Sequence, residues 1–350
     1  MMGHLSGGNL DEDILQTESS PLVIPPPPKR GLHWVFVGAN GLRAGWGVLL
    51  FVLLFVAFGF LTAQVLRHFL HPDRRTAVLP LKLAFISEGA QMIPLLLATA
   101  IMALVERRSL LAYGYQGTAR VVRFISGLVW GFVALSALVF VLWKARLLAF
   151  DGVQLHGAAI WKYAFGWAIL FLVVALFEES TLRGYLQFTL TRGIGFWWGA
   201  LLLSLLFGFS HGTNPGETPV GLFGAAAVGL VFWLSLWYTG SLWWAVGCHA
   251  SWDWAESYFY GTSDSGLMAQ GHLLGEHPTG QRLWSGGTTG PEGSLLALVL
   301  LAVMALLMWL WWGRRVQSPF SSSGWRPAWS RKPALENTAF PSEAGNLPAL

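Results

Sequence analysis

Three short runs in this chain set ionisable side chains inside apolar sequence. Glu178-Glu179-Ser-Thr-Leu-Arg183 follows an apolar run over 170–177, Phe207-Gly-Phe-Ser-His211 closes a second apolar segment, and His249-Ala-Ser-Trp-Asp253 lies within a third. An ionisable group within a membrane span is costly unless paired or wetted, so each of these is a functional candidate. Helical spacing relates them. Glu179 and Arg183 are four apart and share a face, as do Phe207 and His211, and His249 and Asp253. Glu178 and Glu179 point about 100° apart, so one faces the bundle centre while the other meets Arg183. Two carboxylates, two imidazoles and a guanidinium therefore have a place to converge.

Composition names the elements that must position them. Of 350 residues, 54% are hydrophobic and only 11% charged, against roughly a quarter charged in soluble domains. The 20 Trp and 23 Phe fit the aromatic enrichment of membrane interfaces. The expected fold is all-α, a polytopic membrane bundle of about eight helices. Spans are predicted near 44–66, 84–105, 124–143, 161–190, 196–212, 219–239, 241–260 and 294–313, each judged against the ~20 residues needed to cross a bilayer. Residues 1–43, with Asp11, Glu12, Asp13 and the Pro25–Pro28 run, read as a disordered leader, and 314–350 as a disordered tail. Between them, 44–313 is the transmembrane domain. The Gly-, Ser- and Thr-rich stretch 261–293 reads as a loop without a core of its own.

Depth supports convergence of the three runs. At 1.5 Å per residue, Glu178 lies ~18 Å from the end of its helix near residue 190, and His211 ~22 Å from residue 196. His249 and Asp253 lie ~12 and ~18 Å from residue 241, on the same side. Lys29, Arg30, Arg43, Arg107, Arg108, Arg120, Arg123, Arg314 and Arg315 favour a plasma-membrane protein with both termini cytoplasmic, while Arg67, Arg74, Arg75 and Lys82 run against that rule. The single cysteine, Cys248, excludes an internal disulfide framework. The small excess of 22 basic over 18 acidic residues reads as an orientation signal, not a nucleic-acid surface. Glu88 has no evident partner and reads as structural or cavity-lining. His68, His71, His272 and His277 read as solvated loop residues.

The ordered set Glu178-Glu179-x-x-x-Arg183, Phe207-x-x-x-His211 and His249-x-x-x-Asp253 resembles the CPBP family of intramembrane proteases, which includes the type II CAAX prenyl endopeptidases. The likeness covers about 160–260. It implies hydrolysis of a peptide bond in a membrane-embedded or lipidated substrate, either a CAAX-type prenylated tail or a bacteriocin- or leader-like peptide. Glu178 would then be the general base, His211 would hold the water, and Glu179 and Arg183 would fix the surroundings of Glu178. His249 would stabilise the oxyanion with Asp253 orienting it. Asp253 stands where Asn or Asp occurs in the family, and ionised Asp cannot donate to an oxyanion. The expected route needs no cofactor; if zinc were present, Glu178, His211 and His249 would hold it.

Two rivals come from other classes. Gly208-Phe-Ser210-His-Gly212 has the form of a serine nucleophile motif, but it closes an apolar helix where that motif needs a strand-to-helix turn. A non-catalytic protein (an immunity factor, a scaffold or an ion-coupled transporter) would use the same polar groups without cleavage.

Overall fold

The computed structural model describes residues 33–38, 41–69, 78–117 and 119–321. Of the expected leader and tail, 33–38, 41–43 and 314–321 are described; the rest lies outside these residues, as do His71, Arg74 and Arg75. The main helices are α1 (Ala44–Phe69), α2 (Leu81–Val105), α3 (Arg120–Lys144), α4 (Ala158–Glu179), α5 (Phe196–Ser210), α6 (Pro219–Thr239), α7 (Trp243–Asp253) and α8 (Leu295–Met308). α4 runs on through a π-helical segment, Ser180–Leu186, into Gln187–Ile194. α7 runs on as a π-helical segment, Trp254–Tyr260.

Among the described residues, six helices are long and apolar enough to cross a membrane: Ala44–His68, Leu81–Val105, Arg120–Lys144, Ala158–Ile194, Pro219–Thr239 and Leu295–Gly313. The other two predicted spans form helices, but α5 has 15 residues and α7 has 11 before its π segment. Large apolar side chains cover the outside, with Leu53 58%, Val121 68% and Phe209 81% exposed. Water would not tolerate such a surface, whereas lipid does. The chain is an all-α, multi-pass integral membrane protein.

Three features place the site. α3 lies along α7 with almost no side-chain spacer. A Cβ on Gly127 would strike the Trp244 carbonyl oxygen and one on Gly131 the Cys248 carbonyl oxygen. This small-residue stripe fixes α7 at close range, and His249 follows directly. The second feature is α4, which with its continuations spans 37 residues, about 55 Å if straight and well beyond a ~30 Å hydrocarbon core. It bends instead at the π segment, where Gly184 leaves helical geometry (φ −81°, ψ −123°). π insertions are a recurrent source of kinks and occur often at functional sites.

The third feature corrects the expectation for 261–293. This stretch is anchored rather than loose. Strand β1 (Leu148–Val153) pairs antiparallel with β2 (Leu274–Pro278), and Val78–Leu79 pairs parallel with Met268–Ala269. Thr262 and Thr289 are fully buried. Asn214 Nδ2 donates to the Ser265 carbonyl at 2.9 Å, and the Gly266 N–H to the Thr289 carbonyl at 3.0 Å. Backbone pairing and polar anchors, which apolar periodicity does not report, make this segment a roof over one end of the bundle.

Candidate active site

Each motif residue is delivered by a helix or its end. Glu178 and Glu179 sit on the last turn of α4, immediately before the π segment that carries Arg183. His211 opens a 3₁₀ turn just past α5, and His249 and Asp253 lie on α7. The adjacent glutamates divide as their angular separation requires. Glu179 is fully buried and takes Arg183 Nη1 at 2.7 Å, while the Glu178 side chain is 25% exposed and lines a cavity of about 620 Å³. His211, His249 and Asp253 line the same cavity, so the convergence argued from depth is present.

Arg183 is wholly buried and caged by aromatic rings. Its guanidinium carbon lies 4.1 Å from the Trp233 ring centre, 5.1 Å from Phe232 and 5.4 Å from Phe207. The rings cover its faces while Glu179 neutralises its charge. Glu179 uses the same Oε1 to receive His249 Nδ1 at 3.0 Å. That bond decides the orientation of the His249 ring and turns Nε2 toward the cavity, 3.5 Å from Glu178 Oε2 and 3.4 Å from Asp253 Oδ2. Orientation of His249 thus comes first from Glu179, with Asp253 on the reactive side of the ring, and Phe232 stacks on it at 5.5 Å. His211 spends Nδ1 on the Phe207 carbonyl at 2.8 Å, leaving Nε2 for whatever enters.

The remaining sequence candidates separate cleanly. Glu88 lines the cavity and accepts from Gln91 Nε2 at 3.0 Å. Ser210 donates to the Phe207 carbonyl at 2.7 Å and lies 3.5 Å from His211 Nδ1, a nitrogen already turned to that same carbonyl, so no histidine is placed to take its proton. His272 meets the Ala269 carbonyl and His277 meets Asp151, both on the roof side. Glu178, His211 and His249 are not gathered into one metal-sized cluster. Among the described residues the set whose ligand atoms all fall within 4.8 Å of one another is Glu256, Asp264 and Glu292.

Sequence reasoning passed over those three. Asp264 and Glu292 line the cavity from the roof, and Glu256 is fully buried behind it. Burial, the Asp253 carboxylate and Glu292 hold Asp264 well above the usual carboxylate range. Burial also raises Glu292, against the pull of its Ser265 donor. Glu256 follows Asp253 by three residues in an apolar span, so the rule that flagged Asp253 applies to it equally.

With the glutamate pair, its arginine and both histidines in one cleft, family comparison has geometry to rest on. Residues 159–255 match the family model described as type II CAAX prenyl endopeptidase Rce1-like. This stretch is similar to the Rce1-like endopeptidases, which supports a CPBP-type intramembrane protease. A search of curated proteins returns no match. The matched stretch holds every residue of the three motifs and ends just short of Glu256. At family level the match supports a CAAX-type protease, and the apolar helices around it are those of a membrane protein.

Proposed function

We propose that the chain is an intramembrane endopeptidase that hydrolyses a peptide bond of a membrane-associated substrate with water activated by Glu178. The observation that carries this reading is the division of labour between adjacent glutamates. Glu179 is consumed by Arg183 and His249, leaving Glu178 free in the accessible cavity; of the two carboxylates beside His249 Nε2 it is the more exposed, 25% against 11% for Asp253.

The chemistry follows from the donor and acceptor set. Glu178 removes a proton from water as the oxygen attacks the scissile carbonyl, and His211 Nε2 holds that water. A proton on His249 Nε2 supplies the hydrogen bond to the oxyanion, since Nδ1 already faces Glu179. Glu178 then passes its proton to the leaving amine as the tetrahedral intermediate collapses. Asp253 positions the Nε2 edge of His249 and does not donate. No step calls on zinc, because Glu178, His211 and His249 are not arranged as a common ligand set.

The cavity suits a substrate with an apolar anchor. Its walls include Phe55, Leu170, Phe171, Val174 and Leu206 beside the polar groups. A prenylated CAAX tail fits this division, and a leader- or bacteriocin-like peptide is the other candidate. The positive residues of the 2–3 connection favour both termini cytoplasmic, in the plasma membrane.

The deciding experiment is cleavage of matched prenylated and unprenylated membrane peptides by detergent-purified protein, wild type and Glu178→Gln, with and without chelator. The expected result is chelator-indifferent cleavage by wild type and a loss of about 10²–10⁴-fold in the variant, the range for a general base. Cleavage retained in Glu178→Gln would overturn the assignment. Cleavage abolished by chelator would replace the metal-free route.

A further inference from the structure

We propose that Glu256, Asp264 and Glu292 form a divalent-cation site of the Ca²⁺ type, which ties the roof to α7 beside the catalytic cleft. The proposal does not depend on the peptidase reading, because its test reads cation binding.

Three carboxylates from three segments meet here: the π continuation of α7, the turn at 264 and the turn that leads into α8. One oxygen from each lies within 4.8 Å of the others. Calcium bonds oxygen at about 2.3–2.6 Å, so ligands on opposite sides of the ion stand up to ~5 Å apart, and its flexible coordination accepts a set within that span. An all-oxygen donor set selects hard cations over zinc or copper.

Each carboxylate is held by one oxygen and has the other to spare. Glu256 Oε2 accepts from Trp252 Nε1 at 2.8 Å, Asp264 Oδ2 from Ser257 Oγ at 3.1 Å, and Glu292 Oε1 from the Ser265 N–H and hydroxyl at 2.7 and 2.6 Å. A supporting donor on one carboxylate oxygen is how proteins orient anionic ligands toward a metal. The second oxygens of Asp264 and Glu292 accept no hydrogen bond among the described residues, and that of Glu256 is an independent sign. Glu256 is fully buried, yet its Oε1 has no donor. A buried acceptor left alone costs about 1–3 kcal/mol, more when charged. No Lys or Arg pairs with any of the three among the described residues, and His211 and His249 are the basic side chains facing them across the cavity. A bound dication would fill the vacant coordination and balance the charge together.

The test is calorimetric titration of full-length, detergent-purified protein with CaCl₂, alongside thermal unfolding. Wild type is expected to bind one Ca²⁺ per chain and to unfold at higher temperature with it. The variant Glu256→Gln/Asp264→Asn/Glu292→Gln should bind at least about 100-fold more weakly, the upper end of what loss of a merely supporting partner costs. In calcium-free buffer it should be no less stable than wild type, because the amide oxygens keep accepting from Trp252, Ser257 and Ser265. Glu178→Gln should bind like wild type, which separates this site from the catalytic one. If the triple variant does not fold, tryptophan-sensitised Tb³⁺ emission from wild type, displaced by Ca²⁺, reads the site next to Trp252. No binding at millimolar CaCl₂, or binding that survives in Asp264→Asn and Glu292→Gln, overturns the proposal. Occupation by a lysine-bearing peptide in place of Ca²⁺ overturns it too, and reassigns the cluster as a subsite for basic side chains.

Discussion

Two buried glutamate–arginine clusters sit in this bundle, and they do different things. At the α2 end, Glu106 is fully buried and takes Arg192 Nη2 at 2.7 Å and the Tyr185 hydroxyl at 3.0 Å, with Arg108 3.8 Å away. At the cleft, Glu179 is equally buried and takes Arg183 at 2.7 Å and His249 at 3.0 Å. Charge, burial and distance are nearly the same. The difference lies in the neighbours. The Glu106 cluster lines no part of the cavity, whereas Glu179 passes its orientation through His249 to a face shared with Glu178 and Asp253. Buried charge in a membrane protein marks a point of high stakes, and access decides whether it fastens helices or prepares chemistry.

The largest effect separates the two by activity. Glu106→Gln and Glu179→Gln each leave an arginine without its anion and should lower stability by about 3–5 kcal/mol. Peptide cleavage per folded molecule should fall by about 10–100-fold in Glu179→Gln only, as when an orienting partner is lost, and be unchanged in Glu106→Gln. Denaturation and turnover measured on the same preparations test this, and equal losses of activity would erase the distinction.

A smaller effect concerns how α7 is held against its neighbour. Gly131→Leu forces a side chain into the Cys248 carbonyl, one residue before His249. Overpacking of this kind costs about 1–3 kcal/mol, and cleavage should fall further than stability does, because the ring moves with the backbone. Gly59, which has open space around it, is the matched control: Gly59→Ala should be silent in both assays.

The smallest effect comes from a half-buried carboxyl that pairs with no arginine among the described residues. Glu276, on β2 outside the spans, is pushed up from 4.5 to about 7, first by burial and then by the nearby Asp151, against the pull of His277. With the folded value above the unfolded one, the folded state holds the extra proton between about pH 4.5 and 7, so stability falls as pH rises through that window. Thermal unfolding at about pH 5 and 8 should show wild type losing more stability than Glu276→Gln. Identical profiles would show that this carboxyl ionises freely in the fold.

The sequence was informative wherever a residue type contradicted its surroundings. Glu178, His211, His249 and Asp253 stood out because ionisable groups seldom occur in apolar spans, and four-residue spacing paired Glu179 with Arg183 before any contact was known. It was less informative about Glu256, which obeys the same rule, and about 261–293, whose glycines and serines looked like slack chain. That segment is held by backbone pairing across more than 120 residues, as in Phe150 with Glu276, and no local period encodes a partner so distant.

By itself, the sequence determined the all-α membrane bundle, the places of its helices and the residues able to do chemistry, because hydrophobicity and helical spacing are local properties. Tertiary structure alone decided which glutamate is spent and which faces the cavity, that Glu179 rather than Asp253 sets the His249 ring, and that three acidic residues from separate segments meet under the roof. Those outcomes depend on close approach between helices, through the Gly127–Gly131 stripe and the bend at Gly184, and distance across a bundle is not written in the order of a chain.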